Sequence, residues 1–432
     1  MLGTPGMKGG RPFPYGHRVF TNCKEATFRG MCEAFDDPGA CHWCGSATTG
    51  SCIPNRTACP VNSAVGDGAS ADAVEASSES DDAEFGLSVR AAGAAGDNST
   101  SDSAAFESAV AGRTAGAARL IQAPAGLYRL TRTLQLQHSR GGLTLQGEAP
   151  GSTILLWGGN DSAVIDASSQ GTGHVVIRDL SLHPLDLLRA RLSGRRPGQH
   201  GIILGPGQTV VALERIEIFA MGDDGVHHRG NSALVSLHAS DLHSNWGWGV
   251  RATAESGGPA QNLVITANSI YSNVQGGVSI EASEGCSVRD NDIEGGVSPR
   301  QPLLLLRGNQ VYASGNTLGL AHGDGASAAA VFEGSNIVSV GGSFTINSPN
   351  QTALVVACRD GPSSGCPSGV SVQGAVFAAP GGGGGTGLEI GVGVEGMVLL
   401  SPSWANGFAA RVLDRGIGTV YIPPLVNASS WP

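Results

Sequence analysis

The segment GDDGVHHRGN, residues 222–231, gathers Asp223, Asp224, His227, His228 and Arg229 in a chain that is only 14 % charged. Crowded carboxylates push one another's proton affinities apart, which suits an acid/base pair. A histidine beside them can take up a proton near neutral pH, and an arginine can stabilise negative charge as it develops. The same residues also make a good turn, because aspartate satisfies local backbone donors. Which reading holds depends on where the backbone puts each side chain.

Around this segment one phrase recurs: HVVIRDLSL, VALERIEI, LVSLHASDL, LVITANSI, CSVRDNDI and VYASGNTL. Its final apolar residues are Leu182, Ile218, Leu242, Ile270, Ile293 and Leu318; after one long first step they follow at intervals of 24, 28, 23 and 25 residues. That is the length of one solenoid turn made of three short strands. The period predicts an all-β fold, a single-stranded parallel β-helix whose coils stack about 4.8 Å apart. Inward Val, Ile and Leu would stabilise it by roughly 1.5–3 kcal/mol for each fully buried side chain.

A second phrase sets the register. Aligning Gly201, Gly225, Gly249 and Gly277 with Leu303 puts Val226, Val250, Val278 and Leu304 in one inward column. Alternation then turns His227, Arg251, Ser279 and Leu305 outward and His228 inward, so His227 is the histidine expected to meet solvent. Arg229, Glu281, Arg307 and Glu333 form an expected outward ladder of charge. The turn before the strand holds His200, then Asp223 and Asp224, then Trp246 and Trp248. The long first interval carries an insertion, HPLDLLRARLSGRRPGQ, with Arg189, Arg191, Arg195 and Arg196. Residues far apart in sequence are thus expected to converge on one flank. Asn268, Asn291 and Asn316 recur two residues before the apolar marker and are expected to stack inside a corner.

Composition narrows the field. A net charge of −10 argues against general nucleic-acid binding. The only lysines, Lys8 and Lys24, lie near the N-terminus, so a base in the body must be Arg, His, Asp, Glu or Tyr. No apolar run reaches the ~18 residues of a membrane span. Residues 1–22, rich in Gly and Pro, lack the apolar middle of a secretory signal, so a mature or truncated chain is expected. Nine cysteines and five Asn-X-Ser/Thr acceptors (Asn55, Asn98, Asn160, Asn350, Asn427) point to an extracellular or cell-wall setting. Cys358 and Cys366 bracket a loop and should pair; Cys286 is left over, at a position suited to burial. His322 and Asp324 sit in a polar loop, and PGGGGG at 380–385 is a flexible loop without phosphate-binding companions.

Three regions follow: a cysteine-rich module at 1–62, an acidic flexible linker at 63–84 and a β-helix domain at 85–427. In the first, Cys23, Cys32, Cys41, Cys44, Cys52 and Cys59 suit three disulfides, with a zinc knot as the competing reading. The core DPGACHWCGSATTGSC resembles the small plexin–semaphorin–integrin type of module. The opening of the third region resembles the pectate-lyase-like superfamily of right-handed parallel β-helices. Gly93-Ala94-Ala95-Gly96-Asp97, Asp102 and Pro124-Ala125-Gly126-Leu127-Tyr128 stand at the places of that superfamily's motifs, with Asn98 for a glycine and Ser103 for an aspartate. Asp102 or Ser103 is expected to cap a helix that buries Ala105, Phe106, Ala109 and Val110 and closes the open end of the stack.

That resemblance implies an extracellular enzyme acting on an acidic cell-wall or matrix polysaccharide, as a glycoside hydrolase or a lyase. Asp223 and Asp224 would supply the acid and base of a hydrolase. His227 and Arg251 would serve a lyase, with a divalent ion such as Ca2+ on Asp223 or Asp224. Trp246 and Trp248 would stack on sugar rings, while His200, Arg195 and Arg196 would hold substrate. Polygalacturonase-like hydrolases share the Asp-Asp step, but their Asn-Thr-Asp, Gly-His-Gly and Arg-Ile-Lys landmarks are missing here. A non-catalytic glycan-binding or wall protein would keep the tryptophans and arginines without a poised acid or base.

Overall fold

The chain divides into two compact units, Met1–Ser80 and Asp81–Pro432. The computed structural model describes residues 41–45, 50–54 and 86–422, the last range apart from short stretches such as 188–189, 191–193, 256–257 and 321–327. In the first unit the strand Cys41–Gly45 pairs antiparallel with Gly50–Pro54. Cys23, Cys32, Cys59, the expected cross-links of the module and the acidic linker lie outside the described residues, as do Arg189, Arg191, His322 and Asp324.

The second unit is a right-handed parallel β-helix with three strand faces per coil, every pairing within it being parallel. One inward column runs Ile121, Leu145, Ile177, Leu213, Leu237, Ile265, Val288. A second runs Tyr128, Leu155, Leu182, Ile218, Leu242, Ile270, Ile293, Leu318, through the markers of the sequence repeat. The third runs Ile202, Val226, Val250, Val278, Leu304, in the register that the glycine alignment predicts. All of these side chains are 2 % exposed or less, so the core is one continuous apolar stack.

The chain turns its corners with left-handed residues. Asp179, Arg215, Ala239, Ala267 and Asp290 all have φ between 49° and 60° at the bend between the first and second faces. The residue after each bend points inward, and there Asn268, Asn291 and Asn316 stack as expected. Asn268 and Asn291 each donate Nδ2 to the next Oδ1 at 2.9 Å, and Asn316 donates to Val288 O at 2.8 Å. Their Oδ1 atoms also accept backbone N–H groups of the preceding coil, at 2.9–3.1 Å. A second ladder, Asn245 on Asn273, occupies the next corner and was not anticipated. These hydrogen bonds offset the cost of burying the amides.

The helix Ser103–Ala111 buries Ser103, Ala105, Phe106, Ala109 and Val110. Asp102 is its N-cap residue, but its side chain makes no capping bond. Its carboxylate instead accepts the amides of Ala95 at 2.7 Å and Arg129 at 3.0 Å, tying the opening loop to the first coils. Cys358 and Cys366 form a disulfide, and Cys286 is buried with a free thiol. Gly384 and Gly385 already belong to the strand Gly384–Ile390, so the glycine run is not all loop. Among the described residues no helix is long and apolar enough to cross a membrane.

Candidate functional site

The site is built at the start of the third face, where the glycine column lets successive coils close up. A Cβ on Gly225 would stand 2.7 Å from the Gly249 carbonyl oxygen, and one on Gly249 would stand 2.8 Å from that of Gly277. The turn Gly222–Gly225 then seats Asp224 under the next coil. Its Oδ1 accepts the Trp248 amide at 2.8 Å, and a Cβ on Gly247 would collide with that carboxylate.

Asp224 is fully buried, and two histidines close over it. His200 is 4 % exposed and His227 5 %, their rings meeting edge to face at 4.5 Å. Asp224 Oδ2 lies 3.1 Å from His227 Nδ1 and 3.4 Å from His200 Nδ1. The first contact is close but poorly aligned: Asp224 Oδ2 and His227 Nδ1 are both buried without a hydrogen-bond partner. His200 Nδ1 accepts the Asp224 amide at 3.2 Å. The far nitrogen of His227, Nε2, lies 3.3 Å from Glu255 Oε1 and 3.4 Å from Thr253 Oγ1.

Burial pushes His200 down to about 4, although Asp224 pulls the other way. Burial alone would raise Asp224, but the two histidines and the Trp248 amide outweigh it and hold the carboxyl below its usual range. His228 points inward as predicted, takes the Gly230 amide on Nδ1 at 3.1 Å and lies 3.0 Å from Ser232 Oγ; burial pushes it down to about 4. It is a satisfied core histidine.

Several expected roles change with the geometry. Asp223 is no free acid: Oδ1 accepts Arg195 Nε at 2.9 Å and Oδ2 accepts the Gly198 amide at 2.7 Å. Arg195 thereby pins the insertion to the turn. Arg196 accompanies it, its amide donating to Gly222 O at 2.7 Å. Trp246 is half-buried and its Nε1 donates to Ala190 O at 3.0 Å, again holding the insertion. Trp248 is 5 % exposed, with its ring against Gly276, and offers no open face for a sugar. His227 points away from the solenoid axis as predicted, but it is covered rather than solvent-facing. Arg251, one coil on from His227, gives Nε and Nη2 to Glu281 Oε1 at 2.9 and 2.8 Å. The expected charge ladder breaks into pairs: Arg251 with Glu281, Arg229 with Glu255, Arg307 with Glu333.

Calcium takes 6–8 oxygen ligands, and the two aspartates alone do not supply them: each Asp223 oxygen already accepts a hydrogen bond, and Asp224 offers Oδ2 among imidazole nitrogens.

Two sets of residues escaped the sequence reading. Glu255 lies in a loop outside the repeat, and no periodicity marks it. Glu217, His183, Phe219, Asp241, His243 and Tyr271 cluster on the outer side of the second face. Glu217 Oε2 accepts Ser181 Oγ at 2.7 Å and lies 3.0 Å from His183 Nε2, while Oε1 lies 3.4 Å from His243 Nε2. The repeat held the signal, since His183, Phe219, His243 and Tyr271 each follow an apolar marker directly.

No known protein-family profile matches the chain. The mannuronan C5-epimerase AlgE3 of Azotobacter vinelandii is 28 % identical over 223 residues, which is 48 % of this chain but only 12 % of that protein. Among solved structures, the Agl-KA catalytic domain is similar with a TM-score of 0.51 at 14 % identity, covering 78 % of this chain and 68 % of that one. The A-module of the Azotobacter vinelandii mannuronan C-5 epimerase AlgE6 aligns with a TM-score of 0.48 at 17 % identity, over 78 % of this chain and all of that one. The likeness to the Agl-KA domain is one of fold, a parallel β-helix seen here in the strand pairings themselves.

Proposed function

We propose that the chain is an extracellular enzyme acting on an acidic polysaccharide, and that it removes the proton beside a uronate carboxylate. The observation that carries this is the buried Asp224 Oδ2, 3.1 Å from His227 Nδ1, with Nε2 of the same ring turned to the opposite side. A buried anion beside Nδ1 favours the tautomer that carries its proton on that nitrogen, which leaves the Nε2 lone pair to take up another. His227 is then the base. His200, kept neutral by burial, packs the ring in place.

Arg251 stands one coil away, and its ion pair with Glu281 uses Nε and Nη2. Nη1 is the donor that would meet the substrate carboxylate, whose neutralisation acidifies the adjacent C–H. Once the proton is on His227, two outcomes share the same carbanion. Return of a proton from solvent water to the opposite face inverts the carbon; departure of the neighbouring oxygen with the electrons of its C–O bond, taking a proton from water, leaves a double bond. The relative's name, a mannuronan C5-epimerase, describes the first outcome and supports a uronate as substrate. Hydrolysis is less suited, because it needs two carboxyl groups facing the bond, and here Asp223 is held by Arg195 and Asp224 is sealed. The Cys358–Cys366 disulfide supports an oxidising, extracellular setting.

The test is incubation of the full chain with a panel of uronate and neutral polysaccharides in D2O. Deuterium at C5, unsaturated uronates and new reducing ends are followed separately. Deuterium at C5, unsaturated uronates, or both, disappearing in His227→Gln, is the expected result. Reducing ends without either signal would assign hydrolysis and overturn the reading; binding without any turnover would assign a glycan-binding protein.

A further inference from the structure

We propose that His200, Asp224 and His227 form a binding site for a transition-metal ion of the zinc type, and that the bound ion switches off proton transfer at His227. The switching rests on the function proposed above; the binding does not.

Three donors from two coils converge here. They are the one group of three His, Cys, Asp or Glu among the described residues whose ligand atoms all lie within 4.8 Å of one another. Two imidazoles and one carboxylate suit zinc and its neighbours rather than calcium. A tetrahedral ion about 2.0–2.2 Å from its ligands spaces them roughly 3.3–3.6 Å apart. The Asp224 Oδ2 contacts to His227 Nδ1 and His200 Nδ1, 3.1 and 3.4 Å, are already close to that spacing.

Two buried orphans point the same way. Asp224 Oδ2 and His227 Nδ1 face each other without an aligned hydrogen bond. An anionic oxygen and a nitrogen lone pair at this distance repel unless a proton or a cation lies between them. His227 also has an outer partner on its other nitrogen, Glu255 Oε1 at 3.3 Å. A carboxylate behind a ligating imidazole is the usual support of a metal-bound histidine. One contact opposes the ion: the Asp224 amide now donates to His200 Nδ1 at 3.2 Å, and binding there gives up that long bond.

The two states of His227 exclude each other. As a base it carries its proton on Nδ1 and offers the Nε2 lone pair, which requires the exposed Glu255 carboxylate to turn away from Nε2. With a metal on Nδ1 the remaining proton sits on Nε2, directed at Glu255, and no lone pair is left to accept another.

The full chain, stripped of metal, is titrated with Zn2+ alone and separately with Ca2+. Bound metal, melting temperature and turnover are all measured. The N-terminal cysteines are controlled for by reading the difference between variants. Zinc should raise the melting temperature, and His227→Gln and His200→Gln should each bind one ion fewer per chain, while the exposed His238→Gln should bind as the parent does. Unchanged stoichiometry in both site variants, or equal stabilisation by calcium, overturns the site. Should a site variant fail to fold, Co2+ added to the parent decides. Intense tetrahedral absorption with nitrogen and oxygen ligands supports the site, and weak six-coordinate bands alone overturn it. Zinc that binds at the site yet leaves turnover unchanged overturns the switch and the role of His227 as base, and leaves the metal site standing.

Discussion

Two carboxylates surrounded by histidines sit on neighbouring faces of the same solenoid, and they differ in one respect. Glu217, on the second face, has both oxygens in contact with donors: Ser181, His183 and His243. Its histidines are fixed by stacking, His243 lying 4.7 Å from both Phe219 and Tyr271. Burial pushes Glu217 up, but these partners overcome it and hold the carboxylate well below its usual range. Asp224, on the third face, leaves one oxygen and a histidine nitrogen facing each other unsatisfied. Nearly every buried polar group in a folded protein finds a partner, and exceptions concentrate where chemistry is done. Around Glu217 itself the contacts are complete, the one orphan of that cluster being Asp241 Oδ1, whereas at Asp224 the orphaned oxygen and nitrogen face each other across 3.1 Å, an arrangement that suits a proton, an ion or a substrate. Composition alone does not separate them; what does is that the central carboxylate is fully engaged at Glu217 and half engaged at Asp224.

The comparison breaks most sharply under paired amide substitutions. Asp224→Asn keeps the shape but removes the charge that favours the His227 tautomer needed for proton abstraction. Turnover should fall on the order of 10³–10⁴-fold, as loss of the orienting carboxylate does in other acid/base sites. Glu217→Gln should leave turnover within a factor of a few while lowering stability by about 1–3 kcal/mol, the cost of disturbing a half-buried network. Steady-state rates and denaturant melts on both variants decide it. Equal loss of turnover in the two would mean that the clusters act together and that the distinction drawn here is false.

Acid sharpens the same contrast on a smaller scale. His200 and His228 titrate at about 4 in the folded chain against an ordinary 6.5. Between those values the unfolded chain binds protons that the folded chain refuses, so stability is lost as pH falls from about 6.5 toward 4 and is level above. Each histidine contributes of the order of 3 kcal/mol at most. Asp241, raised by burial, works in the opposite sense: its contribution is present in acid and lost as pH rises through its folded value. Melting temperature followed from pH 7 to 4 should therefore drop, and His228→Gln should flatten the drop by about half. A flat profile in the parent would show that these rings are not held neutral.

Much of this arrangement was legible in the sequence because a solenoid repeats its constraints. The period located the inward columns residue by residue, and alternation gave the opposite directions of His227 and His228. The asparagine stack followed from one position recurring across three coils. What the repeat cannot convey is how coils are covered. The insertion between Pro184 and His200 belongs to no period, so its grip on Asp223 through Arg195, and on Trp246 through Ala190, could not be read. For the same reason His227 was expected in solvent, although its outward direction was right. Pairing was also lost: Arg251 and Glu281 stand in different outward columns, and only the long reach of arginine brings them together.

The smallest effect concerns the two tryptophans, which the sequence treated alike. Trp246 is half-buried and its Nε1 donates to Ala190 O, while Trp248 is buried with its ring against Gly276 and its amide on Asp224 Oδ1. Trp246→Phe keeps most of the ring and deletes the donor, leaving one carbonyl of the insertion to water. The expected cost is about 0.5–1.5 kcal/mol of stability. Because that bond holds the insertion whose Arg195 anchors the turn bearing Asp223 and Asp224, KM should rise before kcat falls. A sugar-stacking role predicts something else: Phe would preserve the platform, KM would stay level, and only Trp246→Ala would weaken binding. Comparing Phe and Ala at this position therefore separates an aromatic that holds substrate from one that holds the loop beside it.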